Sequence, residues 1–166
     1  MEFRTALPDD LDAIMAIVAD AKESLRKRGI DQWQRGYPNA EIIGMDIARG
    51  VGRLCCVDGK AAVYGALIFD GEPAYRAISH GAWLSNGPYA VIHRLCTSAG
   101  FVRRGLATEF VRSSFADIVA AGYPSLRMDT HPQNEYMKSM LAGLGFVYCG
   151  DVVIESRRMA YEKLLR

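Results

Sequence analysis

The chain has 166 residues, half of them hydrophobic, with a formal net charge of +1 and four cysteines. That length predicts one ordinary domain, residues 1–166, able to bury about 70% of its unfolded surface without staples. The composition excludes a disordered chain, and the near-zero charge gives no global field for nucleic acid or a membrane surface. No apolar run reaches the ~18 residues of a membrane span. The opening MEFRTALPDD lacks the apolar core of a secretory signal, so a cytoplasmic location is expected. Cys55, Cys56, Cys96 and Cys149 have neither a metal spacing nor a disulfide framework and read as buried, reduced thiols.

In chain order, residues 2–6 read as a short edge strand. Pro8, Asp9 and Asp10 suit a helix start, and Leu11, Ile14, Met15, Val18 and Leu25 continue with helical spacing. Residues 30–38 carry Gly and Pro punctuation and read as a loop. Asn39 is placed to cap a second helix through Ala48, which Gly50 stops. Residues 53–57 and 61–69 are two strands, and Asp58-Gly59 between them is a strong hairpin signal. Residues 70–88 are irregular and long for a compact domain, as binding loops often are.

Residues 90–97, AVIHRLCT, form a short apolar run that suits the middle of a sheet. Strict alternation places Val91, His93, Leu95 and Thr97 on one face and turns Cys96 away. Gly100 breaks the pattern, and Val102-Arg103-Arg104-Gly105-Leu106-Ala107-Thr108 opens a helix whose apolar face carries Ala107, Phe110, Val111, Ile118 and Ala121. A helix start offers unpaired N–H groups and the positive end of a dipole. Gly105 lets an anion approach the main chain, and Arg103 and Arg104 add charged donors, so the turn suits a pyrophosphate. It matches neither the P-loop nor the dinucleotide GxGxxG pattern. Residues 125–130 give the next strand. Pro132 is expected to open a last helix with Tyr136, Met137, Met140, Leu141 and Leu144 on its buried face and Gly145 as its stop. Residues 146–154 and 158–164 form a closing hairpin turning near Ser156. The order is β-α-α-β-β-β-α-β-α-β-β, a mixed α/β fold with a parallel crossover at its centre.

The central stretch resembles motif A of the GNAT superfamily of acetyl-CoA-dependent N-acetyltransferases. That motif reads Leu-x-Val-x-Pro and then Arg/Gln-x-x-Gly-x-Gly/Ala. Leu95, Gly105 and Ala107 fit it, Thr97 and Ala99 are mild changes, and Val102 departs from Arg/Gln. Asn134 and the run from Leu141 to Gly145-Phe146 resemble the family's second motif, and DQWQRGYPN, GPYAVIHR and RMDTHPQN resemble a small bacterial subgroup. The resemblance covers nearly the whole chain. It implies a central sheet whose parallel strands splay apart, acetyl-CoA as co-substrate, and acetyl transfer to a primary amine of a small molecule or peptide; no metal is expected, because nothing in the spacing of His93, Asp129 and His131 is diagnostic of one. It further implies that the Leu95 amide faces the thioester carbonyl and that Cys96 and Thr97 run beside the pantetheine arm. Arg103, Arg104, Gly105, Leu106, Ala107 and Thr108 would hold the pyrophosphate, with Asn134 on the cofactor side.

Such an amine has a pKa near ~10 and needs a general base. His93 is the first candidate for that base, against a core histidine satisfied by its neighbours. His131 and Asp129, at the C-terminal end of a strand, are the second, against a role in orienting the helix start. The family often protonates the leaving thiolate with a Tyr, and this chain has Leu141 there; Tyr136 or water would have to serve. Trp33, Tyr37, Tyr75, Trp83 and Tyr89 are candidates for an acceptor pocket, and equally for core or loop anchors. An acyl-CoA-binding sensor without turnover remains the alternative. The sequence leaves open whether the chain forms a homodimer.

Overall fold

The computed structural model describes residues 1–166 and follows the expected order of elements. Helices α1 (Leu11–Lys27), α2 (Ala40–Ala48), α3 (Leu106–Ala120) and α4 (Glu135–Gly143) are interleaved with seven strands. These are β1 (Glu2–Thr5), β2 (Gly52–Val57), β3 (Lys60–Ile68), β4 (Ala90–Thr97), β5 (Ser125–Thr130), β6 (Val147–Ile154) and β7 (Ser156–Leu164). They form one sheet in the order β1-β2-β3-β4-β5-β7-β6. No helix is long and apolar enough to cross a membrane. By its internal contacts the chain makes two units, Met1–Leu67 with His93–Ser113, and Ile68–Ile92 with Ser114–Arg166.

In the first unit β1 pairs antiparallel with β2, and β2 with β3 through a turn in which Asp58 and Gly59 are both left-handed. The α1 stripe of Ile14, Ile17 and Val18 is buried against Ala6, Ile43, Leu54, Tyr64 and Cys96. Each such aliphatic side chain contributes about 1.5–3 kcal/mol. A 3-10 turn at Pro8–Asp10 precedes α1. Its Asp10 accepts the Leu7 N–H at 2.7 Å and two hydrogen bonds from Arg4 at 2.7 and 2.9 Å. The expected cap of α2 is present: Asn39 Oδ1 accepts the Ile42 N–H at 2.9 Å. Helix α3 comes close to β3 because residue 65 is glycine; a Cβ there would lie 2.8 Å from the Phe110 ring and 3.4 Å from Leu95.

In the second unit β7 pairs antiparallel with β5 on one side and β6 on the other. The start of β4 pairs parallel with β5 through Ala90↔Leu126 and Val91↔Arg127, and the register ends there. The long loop of residues 70–88 contains a 3-10 turn at Pro73–Ala77 and is fixed by aromatic and polar contacts. Arg127 lies between the Trp83 and Tyr89 rings, 4.2 and 3.9 Å from their centroids. Trp83 Nε1 donates to the Tyr75 carbonyl at 2.8 Å. These aromatics are therefore loop anchors.

Three expectations change in this unit. Pro132 does not open α4; it sits in the preceding turn, and Asn134 is the cap, accepting the Met137 N–H at 3.4 Å. The Asn134 side chain satisfies an N–H of the first turn, so the helix begins after it. Tyr136 is not on the buried face of α4; it is 65% exposed, while Leu141 is fully buried. The closing hairpin turns at left-handed Glu155, near Ser156 as expected, but β7 begins at Ser156, two residues earlier than the expected 158.

Candidate functional site

Strand β4 is not regularly extended. Arg94 has φ +58°, a left-handed value that costs a non-glycine residue roughly 1–2 kcal/mol. Strict alternation therefore does not carry across it, and the expected shared face of His93 and Leu95 loses its geometric basis. Contacts settle the residues beyond the kink. Leu95 lies toward Phe110 of α3, and Cys96 lies in the α1–α2 core. Burial pushes the Cys96 thiol up to about 12, so it is inert as a nucleophile at neutral pH. His93 is half-buried in the strand.

The Arg94 side chain is bound on two sides. Its Nε and one terminal nitrogen donate to the two Asp46 oxygens at 2.8 and 2.6 Å, and its other terminal nitrogen donates to the Tyr37 hydroxyl at 2.8 Å. Tyr64 Oη donates to Asp46 Oδ2 at 2.6 Å. Asp46 is 2% exposed, and every oxygen of its carboxylate has a partner. Burial works against the charge on Arg94, but the hydrogen bonds to Asp46 and Tyr37 outweigh it and raise its pKa. Burial and then the bond to Asp46 raise the Tyr64 phenol well above its ordinary value. The sequence reading missed this group. Its signal was a charge on the apolar stripe of α2, Asp46 between Ile43 and Ile47, and a second charge inside the apolar run of β4.

After β4, Asp20 of α1 fastens the chain by accepting the Ala99 N–H at 2.8 Å and the Ser98 hydroxyl at 3.3 Å. The turn that follows is exposed over residues 102–105. Val102 is extended, Arg103 is left-handed at φ +62° and Gly105 at φ +72°. A Cβ at Gly105 would meet nothing within 4 Å, so the main chain there is open to a ligand. Within α3 the first registered bond runs from the Glu109 N–H to the Gly105 carbonyl at 3.0 Å. The N–H groups of Leu106, Ala107 and Thr108 precede it and have no acceptor within the helix. Arg104 lies 5.1 Å from the Phe101 ring centroid, and Glu109 is paired with Arg112. The turn and the helix start together present an exposed main chain with N–H donors, a combination suited to phosphate oxygens.

In the second unit, Asp129 accepts the Tyr75 hydroxyl at 2.6 Å and lies 3.9 Å from Arg158. Burial, followed by the charge of Asp129, raises Tyr75 well above its ordinary pKa. His131 Nδ1 accepts the Gln133 N–H at 3.1 Å, and its carbonyl accepts the Asn134 N–H at 2.9 Å. That is the helix-orienting arrangement. Asn134 is buried at the start of α4, which it caps, and Tyr136 stands exposed on that helix.

A scan of protein-family profiles finds no match, and no curated protein matches the chain. Solved structures do match. A GNAT-family acetyltransferase from Streptococcus agalactiae is 38% identical, with TM-score 0.92, over 99% of this chain and 95% of that one. A GNAT-family acetyltransferase from Listeria monocytogenes has the same fold at 20% identity and TM-score 0.77, covering 99% and 94%. So does the PaiA N-acetyltransferase of Thermoplasma acidophilum, solved in complex with coenzyme A, at 18% identity and TM-score 0.73, covering 98% of each chain. With the 38% identity extending over almost the full length of both chains, this protein belongs to the GNAT family of acetyltransferases.

Proposed function

We propose that this acetyltransferase uses acetyl-CoA and acetylates a primary amine of a small molecule or peptide. The observation that carries the reading is the exposed turn into α3, with left-handed Arg103 and Gly105 and the helix N–H groups beyond them. The residues present fit a pyrophosphate: the N–H groups of Leu106, Ala107 and Thr108 have no acceptor within the helix, a Cβ at Gly105 would meet nothing within 4 Å, and Arg103 and Arg104 precede it in the exposed turn. Loss of the family's Arg/Gln at Val102 removes one side chain but none of these backbone donors. Acetyl-CoA would supply the activated thioester there, and a protein of the same fold has coenzyme A bound.

The remaining roles belong to the chain itself. The Leu95 N–H, next to the left-handed Arg94, is assigned to the carbonyl oxygen on which negative charge develops. Cys96 and Thr97 offer their backbone to the cofactor arm. Cys96 takes no chemical part, because its thiol is core. His93 is assigned as general base for the amine proton, directly or through water. His131 is the second choice. Asp129 is the weaker partner because Tyr75 already donates to it. The departing thiolate takes its proton from water or Tyr136, since Leu141 has no hydroxyl.

The test is thiol release from acetyl-CoA against a panel of amines. His93→Ala is expected to lower turnover by about 10²–10⁴-fold while acetyl-CoA binding persists. Unchanged turnover in that variant would remove His93 from the mechanism. The buried Leu141 at the family's Tyr position favours the second reading, an acyl-CoA sensor. Tight binding with no thiol release for any amine would select it.

A further inference from the structure

We infer that the Asp46–Arg94–Tyr37 contact is a positioning device that holds the main chain of β4 in the conformation the reaction uses. The inference rests on the proposed role of the Leu95 amide. A strand residue with a bulky side chain has no reason of its own to adopt φ +58°. Glycine would take that conformation without steric cost, yet position 94 is arginine. The structure supplies the compensation at the other end of the side chain. The guanidinium is bound in a fork by Asp46 at 2.8 and 2.6 Å and held by Tyr37 at 2.8 Å.

Both anchor points are themselves fixed. Asp46 sits on α2, which Asn39 caps, and receives a third donor from Tyr64 of β3. Tyr37 lies just ahead of that cap. Arg94 is nearly buried, with a side chain 11% exposed, so its fork is not a solvated surface pair. Planar two-point pairing fixes direction as well as distance, which a lysine in the same place would not do. The direction of the next peptide follows from the backbone angles of Arg94, and that peptide carries the Leu95 N–H. Asp46, Tyr37 and Arg94 thus act through the main chain and touch no substrate.

The experiment separates the anchor from the chemistry. In an Asp46→Asn background, which leaves no buried carboxylate unpaired, Arg94→Ala removes the anchor and Arg94→Gly removes it while freeing the backbone to stay left-handed. Two readouts are taken on folded protein. The first needs no ligand: the backbone carbon chemical shifts of residue 94, which report left-handed or extended geometry. The second is the infrared carbonyl band of bound, carbonyl-labelled acetyl-CoA, together with the affinity for CoA.

The expected result is that Arg94→Ala moves residue 94 toward extended values and returns the carbonyl band toward that of free acetyl-CoA. CoA affinity should change little, and thiol release should fall by about 10²-fold. Arg94→Gly should recover part of the band shift. A general loss of packing would not separate Ala from Gly in this way. Tyr37→Phe, the mildest change, should move both readouts slightly in the same direction, and it carries the test if the double variants do not fold. The inference is overturned if residue 94 stays left-handed and the band stays shifted in the Ala variant, or in Tyr37→Phe where that variant carries the test. It is also overturned if Ala and Gly behave alike. Failure of the wild-type protein to bind acetyl-CoA would instead sink the functional reading, while the ligand-free shifts would still report on the anchor.

Discussion

Glu162 has no exposed surface, yet it keeps its charge. Burial alone would push its carboxyl upward. Donors from Ser125, Ser85, Leu84 and Arg127 converge on its two oxygens and more than offset that cost, so its pKa lies below the ordinary 4.5. A depressed carboxylate contributes stability that is complete above its unfolded pKa and lost as pH falls through the folded one. Glu162→Gln is therefore expected to flatten the acid limb of the stability curve below about pH 4.5. At neutral pH it should cost roughly 3–5 kcal/mol, because the buried Arg127 would lose the carboxylate that balances its charge. Urea melts from pH 3 to 7 check both; a variant as stable as wild type at neutral pH would contradict the account. Residues were the level at which the sequence was least legible. The opposite facings of Leu95 and Cys96 followed from strand alternation, but the left-handed Arg94 did not, since arginine carries no signal for that backbone. Tyr136 was misplaced because an aromatic at helical spacing reads as core until the neighbours that would cover it are known.

Among the elements, β3 and α3 show how one small residue sets a packing distance. The Phe110 ring occupies the place where a side chain at Gly65 would begin. Gly65→Ala is expected to destabilise the protein by about 1–3 kcal/mol through overpacking. Ala66, one residue on, faces the other way, and Ala66→Gly should lower stability by a smaller amount, set by backbone entropy and one lost methyl. Thermal melts of the two variants check the order; equal losses would mean that Phe110 simply moves aside. Strands and helix starts were readable because their signals are local: an apolar run for β4, Asp58-Gly59 for the hairpin, Asn39 for the α2 cap. The start of α4 was read too early. Pro132 is a good first helical residue, but Asn134 two positions later caps better, and only the observed hydrogen bond to Met137 decides between them.

For the whole molecule, the order of elements was legible because alternation of strands and helices is written in hydrophobic periodicity along the entire chain, and the family was legible through the motif residues Leu95, Gly105, Ala107 and Asn134. What periodicity cannot carry is the pairing of distant charges. The Asp46–Arg94 and Arg127–Glu162 partners are 48 and 35 residues apart, and no local pattern joins them. The central claim is that the turn from Val102 into α3 binds the phosphates of acetyl-CoA. Calorimetric titration of the wild-type protein and of Gly105→Val with acetyl-CoA tests it most directly. A β-branched residue is strained at φ +72° and crowds the open main chain. The account predicts micromolar binding by the wild type and a loss of at least about tenfold, or 1.4 kcal/mol, in a folded Gly105→Val protein. Absence of binding by the folded wild type, or equal binding by the two proteins, would contradict it.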